Sequence, residues 1–167
     1  MKNLLITLLL PLSCLAQTDS LSDFYSKDNK MYWLQSYEAI GKDSPTLKQE
    51  LIEQLEELDG IEILNSSNPD IIRGRMKGVL FNVKQYIIGE MRVTTDAEFR
   101  ITLKYEGYEV RASSIFINMA TGAIAGNTRN SFESLNLKND GRIHKAQKKS
   151  LANWSSFFSG IFKLKTQ

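Results

Sequence analysis

The sequence predicts an α+β domain, one antiparallel sheet with two helices on one face, in the order β-α-β-β-β-β-α. Two observations carry this. From Ala97 to Asn118, apolar and polar residues alternate on both sides of a Glu106-Gly107 turn, the period of a hairpin covered on one face. From Leu47 to Leu58, and again beyond Arg142, the apolar spacing lengthens to that of an amphipathic helix.

The hairpin orders the rest. With its turn at Glu106-Gly107, Tyr105 faces Tyr108, Leu103 faces Val110, Ile101 faces Ala112 and Phe99 faces Ser114, a largely apolar face. The opposite face pairs Lys104 with Glu109, Thr102 with Arg111 and Arg100 with Ser113, and is expected to be wet.

In chain order, Lys2, the apolar run Leu4 to Leu12 and the small-residue segment Ser13 to Gln17 have the three regions of a secretory signal, assigned to residues 1–16. The run is shorter than the roughly 20 residues that span a bilayer. The expected location is therefore the periplasm or cell envelope. Cys14, the only cysteine, leaves two readings open. Cleavage after Ala16 starts the mature chain at Gln17, whereas lipidation at Cys14 gives a lipid-anchored form, with Pro11 where a lipoprotein signal normally has Leu. Residues 17–29 are polar and without period, and read as a disordered mature N-terminus. One domain is expected over residues 30–165.

The aromatic alternation of Met31, Trp33, Gln35 and Tyr37 with Tyr32, Leu34 and Ser36 suits a strand. Ser44 is the expected N-cap of the first helix, with Pro45 at its first position. Leu47, Leu51, Leu55 and Leu58 form the helix stripe, and Gly60 closes it. A short strand at Ile61 to Leu64 follows, then a turn at Asn65 to Pro69. In the next strand Ile72, Gly74 and Met76 alternate with Arg73, Arg75 and Lys77. Residues 78–90 fit a strand extension, an extra hairpin or a loop. Met91, Val93, Thr95 and Ala97 run in phase into Phe99, predicting a long first hairpin strand. Ala120 to Asp140 reads as a surface connection, and a last helix is expected from about Arg142.

Catalysis finds little support. His144 is the only histidine, too little for a zinc site or, without a Gly-x-Ser-x-Gly turn, for a serine nucleophile. Glu50, Glu53 and Glu57 share the solvated side of a helix, unlike a carboxyl pair facing across a cleft. No catalytic, metal or cofactor-binding residue is nominated. The net charge of +2 and the export signal disfavour nucleic acid.

Two surfaces stand out as candidates for binding. One is a basic sheet face of Arg73, Arg75, Lys77, Arg100, Lys104 and Arg111, suited to an anionic polymer such as envelope glycan or to lipid headgroups. The other is the last helix, where Lys145, Lys148 and Lys149 precede Trp154, Phe157 and Phe158; it suits contact with a partner or a peripheral membrane contact, unless those rings are core. Residues 138–167 carry seven Lys or Arg against Asp140 alone.

The aromatic first strand, the Ser44-Pro45 helix start, the strand Asp70-Ile71-Ile72-Arg73-Gly74-Arg75 and the long strand ending Phe99-Arg100-Ile101-Thr102-Leu103-Lys104 resemble a family of exported Bacteroidota domains of unknown function with a TATA-binding-protein-like (TBP-like) fold. The resemblance runs from about Met31 to Asn118. It departs at the turn, where the family often has Lys-Asp-Gly-Arg-Tyr and this chain has Tyr105-Glu106-Gly107-Tyr108. It implies the fold and an envelope location, and no activity.

The expected function is therefore a non-enzymatic binding or interaction module of the envelope, with an unidentified envelope protein or glycan as partner. The alternative is a carrier that holds a small lipophilic ligand between sheet and helices, lined by Trp33, Tyr37, Phe99, Tyr105, Tyr108 and Trp154. Oligomeric state is left open.

Overall fold

The computed structural model describes residues 19–81, 91–121 and 127–165. Among these, eight strands form one antiparallel sheet. They are β1 (Asp19–Leu21), β2 (Phe24–Lys27), β3 (Lys30–Glu38), β4 (Ile61–Leu64), β5 (Ile71–Leu80), β6 (Met91–Lys104), β7 (Gly107–Thr121) and β8 (Asn127–Ser131). The order across the sheet is β1-β2-β3-β7-β6-β5-β4, with β8 pairing the far end of β7. Three helices accompany it, α1 (Ser44–Glu56), α2 (Phe132–Asn136) and α3 (Lys148–Phe162).

Residues 19–27, expected to be disordered, form the hairpin β1–β2. Their polar residues are turn formers: Ser22 and Asp23 have φ of 52° and 64°, and Asp28 and Asn29, joining β2 to β3, have 53° and 58°. Phe24 is fully buried and stacks on Phe132. Asp19 accepts the Ile143 N–H at 3.0 Å, and Asp23 accepts from Ser155 Oγ, which accepts from Trp33 Nε1. The hairpin is thus tied to the far end of the chain.

The central hairpin keeps its predicted faces but not its predicted register. Leu103 pairs with Tyr108, Ile101 with Val110, Phe99 with Ala112 and Thr102 with Glu109, so the turn residues are Tyr105 and Glu106. Tyr105, expected on the covered face, is 93% exposed. Gly107 belongs to the ladder instead of the turn, because a Cβ there would lie 2.2 Å from the Tyr37 carbonyl oxygen of β3. The displacement is two positions, which preserves the period-2 faces.

Two bulges flank one point of β6. On β7, Ser114 and Ile115 stand against Ala97, with Ser114 at φ 52°. On β5, Lys77 and Gly78 stand against Asp96, with Gly78 at φ 65° and its N–H donated to Asp96 Oδ1 at 2.8 Å. Each extra residue reverses which side chains point inward. Thus Ala112 is followed inward by Ile115 and Ile117, and Met76 by Val79 and Phe81. Ser114, expected to face Phe99, is exposed for this reason.

Helices α1 and α3 cover the inner face. Asp43, one residue before the expected Ser44, caps α1 by accepting the Thr46 N–H at 2.8 Å. Leu47, Leu51 and Leu55 are buried, and Gly60 turns the chain at φ 84°. The connection expected over Ala120–Asp140 instead holds the end of β7, β8 and α2, anchored by the fully buried Phe132. Helix α3 starts six residues later than expected. Residues 137–143 close a small bridged loop, Leu137 to Ile143, and a 3-10 turn at Lys145–Gln147 precedes the helix. Of the segment 78–90, residues 78–80 extend β5 and Phe81 is buried; residues 82–90 lie outside the described residues.

Candidate functional site

The outer face of the sheet carries the six basic residues singled out in the sequence, and all six are exposed. The registers divide them into two groups. Arg75 Nε lies 3.9 Å from Glu98, Lys77 Nζ 2.7 Å from Glu62 and Lys104 Nζ 2.6 Å from Glu109. Lys77 holds the Glu62 carboxyl below its ordinary pKa, through their hydrogen bond and its charge. These three cations are locally neutralised.

Arg73, Arg100 and Arg111 are not. Arg73 is the register partner of Arg100, and Arg100 of Arg111, so three arginines stand in single file across β5, β6 and β7. Directly opposed residues in an antiparallel pair have Cα atoms about 4.5 to 5.5 Å apart. Among the described residues no carboxylate lies within ion-pair distance of these three. Leu64 on β4 and Leu34 on β3 end the row. Beside it, the Arg111 guanidinium sits 4.1 Å over the Tyr32 ring, which stacks on Tyr25 with centroids 5.6 Å apart. Glu62 and Glu98 flank the row on one side and Glu109 on the other.

Like charges placed directly opposite each other destabilise a sheet. An arrangement that breaks a local rule without an internal compensation is where function is expected. The six residues are visible in the sequence but this division is not, since the predicted register sets Arg111 against Thr102 and the observed one, two positions away, sets it against Arg100.

Beyond the bulges the outer face is different. Arg129 pairs with Asp96 at 3.4 Å and lies over the Phe116 ring, beside two shallow hollows of about 480 and 370 Å³. Its charge is already matched.

The second candidate surface comes apart. Lys145, Lys148 and Lys149 are exposed, but Trp154 and Phe158 are buried and Phe157 is half-buried. Trp154 stacks on Phe81 at 3.6 Å, and Phe158 on Trp33 at 5.3 Å. The aromatics of α3 are core in this fold, which leaves its lysines without an apolar partner surface. The rings expected to line a carrier pocket are packed on other rings of the same layer, Trp33 and Phe99 on Phe162, Tyr108 on Tyr37 and Trp154 on Phe81, and Trp33, Phe99, Tyr108 and Trp154 are at most 6% exposed. Tyr108 donates to the Phe162 carbonyl at 2.9 Å and accepts the Leu164 N–H at 2.8 Å, and burial pushes its pKa up to about 12. Cys14 lies outside the described residues.

Among the described residues, no group of three His, Cys, Asp or Glu side chains is placed to hold a metal ion, and no helix is long and apolar enough to cross a membrane.

No protein-family model matches the sequence, and no curated protein matches it. Two solved structures resemble the fold. A DUF4468 family protein from Bacteroides ovatus superposes with a TM-score of 0.53 at 15% identity, over 81% of this chain and 83% of that one. A TBP-like protein from Parabacteroides distasonis gives 0.50 at 15% identity, over 83% of this chain and 94% of that one. At this identity the likeness shows the fold, a TBP-like single sheet with helices on one face.

Proposed function

We propose that this chain is an exported, non-enzymatic binding module whose open sheet face holds an anionic ligand. The observation that supports the reading is the file of Arg73, Arg100 and Arg111, exposed, in register and without carboxylate partners among the described residues. Guanidinium groups fork two donors toward a carboxylate or phosphate, so a row of them suits an anion of more than one charge or several anions side by side. The face is open because both long helices lie on the other side. Export rests on the signal-like residues 1–16.

The test compares two triple variants on a carboxylate-bearing column, R73Q/R100Q/R111Q and K145Q/K148Q/K149Q. Each removes three positive charges, so bulk charge cancels from the comparison. The arginine variant is expected to elute at clearly lower salt than the lysine variant. Equal elution, or earlier elution of the lysine variant, would remove the sheet face from consideration.

A further inference from the structure

Resting on that anion-binding reading, we infer that the anion held by the arginine row is the acidic side of α1 on a second copy of this chain. Arg75, Lys77 and Lys104 are matched by Glu98, Glu62 and Glu109, so the unmatched charge around the row is that of Arg73, Arg100 and Arg111 themselves. Its complement lies on the other side of the same molecule.

Helix α1 buries Leu47, Leu51 and Leu55 and turns Glu53, Glu56 and its C-cap residue Glu57 to solvent. Residues three and four apart are neighbours on a helix surface, with Cβ atoms about 5 to 6 Å apart, so these carboxylates repel one another. All three sit at the C-terminal end, where the helix dipole disfavours negative charge, and the last turn holds no basic residue. Glu53 accepts from Gln49, a neutral donor. Among the described residues none of the three is in an ion pair: Lys42 is taken by Glu50, and Lys165, which lines one hollow with Glu53 and Glu57, is joined to neither.

Two surfaces of one molecule thus carry like charges that the molecule does not match, and their signs are opposite. A second copy supplies to each what it lacks. The row steps about 4.8 Å from strand to strand, and Glu53 to Glu57 is a rise of about 6 Å. A helix laid across the strands along the row therefore brings its carboxylates within reach of the guanidinium groups, whose forked donors suit them.

The placement also sets the kind of assembly. The row is on the outer face of the sheet and α1 covers the inner one, so a copy that docks through its α1 still offers its own row. Such a head-to-tail contact extends into open chains unless the rotation closes a ring. Resting on charge, it is weakened by salt.

Sedimentation velocity of the chain at low salt, over rising concentration, tests this. The unaltered chain should form species that grow with concentration and are lost in about 1 M salt, where the screening length is about 3 Å. R73Q/R100Q/R111Q and E53Q/E56Q/E57Q should each stay monomeric; both replace like charges with neutral residues, which spares the fold. Mixed in equal amounts, the two variants should form dimers and nothing larger, since one keeps the acidic helix and the other keeps the row. An unaltered chain that stays monomeric, a mixture that does, or assembly by either variant alone overturns the assignment. If the arginine variant then still elutes earlier than the lysine variant from the carboxylate column, the anion-binding face stands without this partner. If it does not, both readings fail.

Discussion

Arg100 on β6 stands directly opposite Arg111 on β7, and its other neighbour in register is Arg73 on β5. The middle arginine therefore meets a like charge on both sides. Replacing it with threonine, a good strand former, should stabilise the fold by about 0.5 to 1 kcal/mol. Urea unfolding of Arg100→Thr checks this, and the gain should shrink in high salt as the repulsion is screened. A loss of stability would mean that an unrecognised partner neutralises the row.

Tyr108 fastens the C-terminal segment, and the hydrogen bond it donates to the Phe162 carbonyl requires the phenol to keep its proton, while the Leu164 N–H donates to the same oxygen. With a folded pKa near 12 against an ordinary value of 10, the folded state holds the proton more tightly than the unfolded chain. Its stabilisation is complete below pH 10 and is lost as pH rises from 10 towards 12. Tyr108→Phe should lower stability at neutral pH by about 1 to 3 kcal/mol and flatten that alkaline fall. Tyr37, also raised by burial, remains in both proteins, so the difference isolates Tyr108. Parallel alkaline curves for the two proteins would contradict the assignment.

Trp154 lies between Phe81, just past the end of β5, and Phe132 of α2, with ring centroids 3.6 and 5.6 Å away. Trp154→Ala should destabilise by about 3 to 5 kcal/mol. Thermal unfolding measures it, and a scarcely changed midpoint would return α3 to the list of docking surfaces.

Gly74 permits a close approach between strands. A Cβ there would meet Phe99 Cζ at 2.2 Å and the Glu62 carbonyl oxygen at 2.6 Å. Gly74→Ala should therefore cost about 1 to 3 kcal/mol by overpacking. Gly78→Ala on the same strand has no atom in its way and is opposed only by its positive φ. Chemical denaturation of the two should rank Gly74→Ala as the more damaging, unless Phe99 can swing aside.

Much of the sheet was legible because strand faces follow period 2. Leu47 to Leu55 and the long β6 were equally plain. What sequence could not supply was the alignment of one strand with another. Gly107 carries the residue type of a turn, yet the approach of the Tyr37 carbonyl is what demands it there. Ser114 and Gly78 break the alternation of their strands, and only pairing with Ala97 and Asp96 identifies them as bulges. Phe24 and Phe132 stand alone in polar surroundings, so no local period announced that each is a core anchor. The arginine row depends on the same alignment: the residue types were visible, and their single file was a property of register.

Amide chemical shifts followed during titration with an anionic oligomer such as an oligogalacturonate report, residue by residue, whether an anion meets the chain on β5, β6 and β7. Binding on that face requires shifts concentrated at Arg73, Arg100, Arg111 and Tyr32, with Lys145, Lys148 and Lys149 unmoved. Shifts confined to those three lysines would contradict it.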